Sequence, residues 1–165
     1  MNIQNTAKIE IWSGSLKELG ARFDGSGTNF AVFSANATQI DLCIFSPDGS
    51  TADSRVPLPE RTGPVWHGYV PGLAAGTLYG YRAHGSYAPD QGNRFNPHKL
   101  LMDPYTRELH GNCTNTPAPY VFDLRSSHED LSVDRRDSAG CVPKSVVSDP
   151  AMFRMATDHP DHGWS

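Results

Sequence analysis

Gln39-Ile40-Asp41-Leu42-Cys43-Ile44-Phe45, followed by Ser46-Pro47-Asp48-Gly49-Ser50, is the stretch on which the fold turns. Its side chains alternate, with Ile40, Leu42 and Ile44 on one side and Asp41 and Cys43 on the other. Successive residues of a strand point to opposite faces, so the pattern predicts a β-strand with one buried face. The next residues are a turn with a mechanism: Pro47 presets φ, while Asp48 and Gly49 tolerate the tight backbone. Residues 51–58 then form the second arm of a hairpin.

Upstream, Gly25-Ser26-Gly27 is a turn that launches residues 28–35, a run of β-branched, aromatic and small residues ended by Asn36-Ala37. Downstream, residues 65–70 and 77–84 predict two further strands, joined across residues 71–76. The chain holds 15 glycines and 13 prolines, punctuation that suits many short strands better than long helices. Five or six strands about 8–12 residues apart read as an all-β, immunoglobulin-like antiparallel β-sandwich. The Cys…Trp…Cys spacing of an antibody domain is absent.

After His84 the pattern changes. Residues 90–96 are polar, and a short helical turn is expected around Lys99-Leu100-Leu101-Met102, ended by Asp103-Pro104. Residues 112–119 read as loop, and residues 123–137, dense in both charges, as a solvated, mobile segment. Residues 142–147 are one more short apolar stretch. The expected organisation is a loose leader over 1–18, a sandwich over 19–90, an extended, partly irregular linker or docking segment over 91–150, and a patternless tail over 151–165.

With 165 residues the chain is too short for a (β/α)₈ barrel, which takes about 250. A formal charge of −4 argues against nucleic acid, whose binders need a basic face to replace phosphate counterions. No run of about 18 apolar residues occurs, so no membrane partner is expected. Nothing at the start reads as a signal peptide. Cys43, Cys113 and Cys141 are widely spaced and odd in number, which predicts reduced thiols and a cytoplasmic protein. His159 and His162 flank Pro160 in a patternless terminus with no preformed ligand geometry, so no metal or cofactor is expected.

Three stretches carry a resemblance. They are residues 20–25 with Thr28-Asn29-Phe30-Ala31-Val32-Phe33-Ser34-Ala35-Asn36-Ala37; residues 58–62, 65–69 and 78–82; and Arg94-Phe95-Asn96-Pro97-His98-Lys99-Leu100-Leu101-Met102-Asp103-Pro104-Tyr105, with residues 136–139 and 142–147. In this order they resemble the isoamylase N-terminal domain, carbohydrate-binding module family 48, found in front of glycoside hydrolase family 13 barrels. The likeness is closest to its bacterial glycogen-debranching members and runs from about residue 20 to 150. The tail departs from it: a Trp- and acid-rich approach to the barrel is replaced by Met152-Phe153-Arg154-Met155-Ala156-Thr157. The expectation is a piece cut at the domain boundary or a reading frame truncated or shifted near Ala151, with the divergence favouring the second.

The resemblance implies a non-catalytic accessory domain of a glycogen debranching enzyme acting on α-1,6 branches, with glycogen and the barrel as partners. Retaining hydrolysis needs two carboxyl groups about 5–5.5 Å apart; in the family they sit on barrel strands beyond Ser165, so no catalytic residue is assigned. Sugar binding needs flat rings that stack on C–H faces. Tyr87, Trp66 and Tyr81 are the candidates, although Trp66 alternates with Gly68 and Val70 on the core side, and Tyr79 and Tyr81 share one face. Tyr87 follows Gly85-Ser86 in a loop. The alternative is a structural docking domain without sugar affinity. Arg94, Phe95, Asp103 and Tyr105 would then face the barrel, with Phe95, Leu100, Leu101 and Met102 partly exposed in its absence and the chain prone to self-association.

Overall fold

The computed structural model describes residues 9–112 and 132–151. Cys113, most of the 123–137 charge run, and the tail with His159 and His162 lie outside the described residues.

Among the described residues eleven strands form in chain order. They are β1 (Gly20–Phe23), β2 (Gly27–Phe33), β3 (Gln39–Phe45), β4 (Ala52–Pro57), β5 (Glu60–Thr62), β6 (Val65–Pro71), β7 (Leu78–His84), β8 (Tyr87–Ala88), β9 (Asn93–Arg94), β10 (Leu109–His110) and β11 (Lys144–Val146). One sheet has the order β1-β2-β6-β5, the second β10-β11-β7-β3-β4, and β8 and β9 form a small ribbon. Every paired strand is antiparallel. The sandwich is therefore as expected, and the 39–45 strand falls where its alternation places it. The turn beyond β3 closes through Gly49, which donates to the Ser46 carbonyl (2.8 Å) at φ +71°, a conformation that favours glycine. Asp48 accepts from the Ser46 hydroxyl and the Ser50 amide.

Between the sheets, Phe30 and Val32 of β2 and Trp66 and Val70 of β6 meet Ile40, Leu42 and Ile44 of β3 and Tyr79 and Tyr81 of β7. Phe30 sets its ring edge-to-face on Tyr79, with centroids 5.1 Å apart. Each such side chain contributes about 1.5–3 kcal/mol by leaving water, so this layer holds the sandwich together.

Four expectations are corrected. The outer face of β3 is buried as well: Asp41 and Cys43 are only 4% and 1% exposed. Cys43, Phe45 and Leu78 lie under Leu100 and Val146 in a second small core, and Leu100 approaches so closely that a Cβ on Gly80 would stand 2.8 Å from it. Leu100 is thus covered, not exposed. Buried Asp41 is tolerated because Arg55 and His84 contact its Oδ2 at 2.6 and 2.8 Å.

Second, no helical turn forms at residues 99–102. The Lys99 amide closes a turn on the Asn96 carbonyl, and Leu101 then pairs with Tyr81 through two 2.8 Å backbone hydrogen bonds. β11 pairs only with Leu78 and Tyr79 on that side of β7, so the backbone groups of Tyr81 need a partner, and satisfying them outweighs a single helical turn. Third, the described end of the charge run is anchored. Asp134 and Lys99, 4% and 2% exposed, form an ion pair at 3.4 Å, and Arg136 clamps Asp134 from outside.

Fourth, residues 9–18 are not loose. Trp12 and Tyr69 exchange backbone hydrogen bonds of 2.7 and 2.9 Å, continuing the edge of β6 beyond β5. Gly14 then crosses against Gly68, and Ser15 and Asn29 hydrogen-bond reciprocally at 2.6 and 2.8 Å. Ser13 of this strap donates to Glu60, the acid that also stands 3.8 Å from Nδ1 of buried His67. Among the described residues no helix is long and apolar enough to cross a membrane.

Candidate functional site

Alternation along β6 and β7 decides the fate of two candidate rings. Trp66 and Tyr81 point between the sheets, 8% and 2% exposed. Trp66 donates from Nε1 to the Ser34 carbonyl (3.1 Å) and lies under the Arg61 guanidinium. Neither presents a ring face on which a sugar could stack. Tyr87 is half-buried in β8, paired across the ribbon with Arg94 of β9, its hydroxyl directed at the Ser132 carbonyl.

The four docking candidates divide similarly. Arg94 and Tyr105 are exposed, while Phe95 is half-buried against the main core and beside Gly85. Asp103 is enclosed: its Oδ2 accepts from the Tyr79 hydroxyl at 2.7 Å and faces that of Tyr81 at 3.5 Å, and its Oδ1 accepts from the Tyr105 amide. Asp103 and Tyr105 are therefore brought together with Tyr81, and Arg94 with Tyr87. Trp66 stands apart from both groups. Leu101, Met102, Tyr105 and Leu109 leave an exposed apolar strip on this side.

Sequence reasoning missed an open ring, Trp12, at 52% exposed. It stacks on Tyr69 with centroids 6.1 Å and planes 27° apart. Its Nε1 donates to Glu10 (2.6 Å), and the Tyr69 hydroxyl donates to both oxygens of Asp24 (3.1 Å each). The available signal was a lone tryptophan in a polar stretch without periodicity. The sequence separation of 45 between Asp24 and Tyr69 hid the rest.

The buried acids are occupied structurally. Burial alone would raise Asp41, but hydrogen bonds from His84, Gln39 and Arg55 hold it below the usual carboxylate range. The side-chain hydrogen bond of Arg136 keeps Asp134 well below that range. Burial pushes Asp103 up, as a general acid requires, yet two tyrosines enclose it and it is 2% exposed. None is open to a glycosidic bond. Among the described residues no group of three His, Cys, Asp or Glu could hold a metal ion.

An antiparallel sandwich with aromatic rings at its surface is the class of protein that this geometry defines. Residues 18–106 match the family profile of carbohydrate-binding module 48, the isoamylase N-terminal domain, and the chain belongs to that family. It is 47% identical over 137 residues to a glycogen debranching enzyme of Yersinia enterocolitica, spanning 83% of this chain and 19% of that protein. It is 42% identical over 148 residues to the glycogen operon protein GlgX homolog of Mycobacterium tuberculosis, spanning 90% and 20%. The chain thus spans about a fifth of the length of these relatives. Among solved structures it is similar to the catalytic module of the glycogen-degrading pneumococcal virulence factor SpuA, with TM-score 0.55 and 17% identity over 85% of this chain and 18% of that one. The Group B Streptococcus pullulanase SAP follows at TM-score 0.52 and 17% identity, over 84% and 15%. These two likenesses speak for the fold.

Proposed function

We propose that this chain is a non-catalytic accessory domain that holds α-glucan for a glycogen debranching enzyme acting on α-1,6 branches. The family match over residues 18–106 carries the reading, and relatives named glycogen debranching enzymes support it. The glucan is a neutral polymer, indifferent to the charge of −4, and binding to one domain is weak. The setting is cytoplasmic, which the buried thiol of Cys43 supports as a reducing compartment. Of the three rings chosen from sequence, Tyr87 alone keeps part of its surface for sugar.

Affinity electrophoresis tests the reading: the folded chain should be retarded in a gel containing glycogen and not in one without it. No retardation of a protein whose fold is verified by circular dichroism overturns glucan binding.

A second reading is a docking domain that shapes the neighbouring barrel and has no sugar affinity. The exposed strip of Leu101, Met102, Tyr105 and Leu109 favours it, because apolar patches of this kind mark contact surfaces. Arg94 lies exposed nearby in sequence, while Phe95 and Asp103 would act indirectly, by fixing this segment to the sandwich.

A further inference from the structure

We propose that Trp12, Tyr69 and Asp24 form a binding subsite for an α-glucan chain on the outer side of the β1-β2-β6-β5 sheet; this rests on the glucan-binding reading above. Leaving half of an indole in water forgoes roughly 25 cal/mol for each Å² that could be buried. The core rings avoid that loss; Trp12 does not. Its exposure is also not looseness. The backbone of Trp12 is tied to Tyr69 on both sides, its Nε1 to Glu10, and the Tyr69 hydroxyl to Asp24. Every polar atom in the plane of either ring is engaged, so the rings are fixed before a ligand arrives, which lowers the ordering cost of binding.

The shape suits a glucan. Stacked aromatic faces with centroids 6.1 Å apart are laterally offset, and the 27° tilt makes the pair a bent step. Successive glucose units of an α-linked chain are themselves turned relative to one another, so two units can each lay a C–H face on one ring. The polar rim fits as well. Glu10 and Asp24 offer carboxylate oxygens that accept from sugar hydroxyls, and their charge disfavours phosphorylated or nucleic-acid ligands. Asp24 stays ionised because the Ser26 and Gly27 amides and the Tyr69 hydroxyl hold its carboxyl below the usual range. It also lines a cavity of about 420 Å³ with Phe23, Gly25, Asp149, Pro150 and Ala151.

The test uses the whole 165-residue chain with a linear maltooligosaccharide of six glucose units, read by calorimetry and by tryptophan fluorescence. Trp12→Ala is expected to weaken binding at least about tenfold, from the stacking area lost. Trp12→Phe should restore part of it, and Leu109→Ala, on the other sheet, should leave it unchanged. With Trp164→Phe present throughout to silence the third tryptophan, sugar should also shift the emission, and Trp12→Phe should abolish that shift because Trp66 is buried. If the parent binds while Trp12→Ala binds equally well, or the emission shift survives in Trp12→Phe, the subsite is overturned and glucan binding stands elsewhere. If the folded parent binds no sugar, both readings fall together.

Discussion

Asp103 is the residue whose environment differs most from its surroundings in sequence. It sits in an apparently ordinary Asp-Pro step, yet two tyrosine hydroxyls and the Tyr105 amide converge on it. Burial raises its carboxyl above the ordinary 3.8. The folded chain therefore keeps this proton to higher pH than the unfolded chain does. In the window above 3.8 the folded state binds more protons, so this group makes stability fall as pH rises through it. Asp103→Asn keeps an acceptor oxygen for Tyr79 and does not titrate. Urea midpoints measured from pH 4 upward should lose that fall in the variant relative to the parent; an identical pH slope in both proteins would contradict it. The same residue shows what sequence leaves out. Asp103 was legible as an anchor by charge, but its partners are the inward-facing tyrosines of β7, 22 and 24 residues away.

At the scale of elements, β3 was legible because seven residues alternate without interruption. Its second buried face was not, since Asp41 and Cys43 look like a solvent side until residues 100 and 146 are known to cover them. β1, β5 and β11 have three or four residues each, too few for a period to declare itself. Trp66 and Tyr81 were chosen for their chemistry, and their strand parity turned them inward. Trp12 has no period at all and became visible only through its pairing with Tyr69. The cover over β7 depends on the joint between residues 96–103 and 134–139. There Asn96 donates to the Asp134 carbonyl (2.7 Å), Leu100 to the Ser138 hydroxyl (2.8 Å), and Lys99 to the Arg136 carbonyl (2.8 Å). Asp134→Ala removes the carboxylate that stands 3.4 Å from the buried Lys99 ammonium, which should cost about 3 kcal/mol. Chemical denaturation measures this directly, and a loss under about 1 kcal/mol, the range of exposed pairs, would mean that Lys99 is solvated.

Among the described residues, apolar side chains are left exposed at the edge of the second sheet as well as around Trp12 and Phe33. Leu101, Met102 and Tyr105, each more than two-fifths exposed, lie in one stretch of chain, and Leu109 is on β10, the edge of its sheet. Apolar side chains beside an open edge strand favour association. Light scattering should therefore show an apparent mass that rises with concentration. Leu101→Glu combined with Met102→Glu should return it to the monomer value, whereas a constant monomer mass for the unmodified chain would refute the expectation. The strap over residues 9–18 bears on the same scale in another way. The recognisable family pattern begins at residue 18, while the bonds from Ser13 to Glu60 and from Ser15 to Asn29 lie before it. Anyone transplanting this module into another protein by its recognisable borders would discard Trp12 and the ties that join residues 12–15 to Glu60, Tyr69 and Asn29. Grafts and fusions need the earlier border, because likeness among relatives and mechanical wholeness do not end at the same residue.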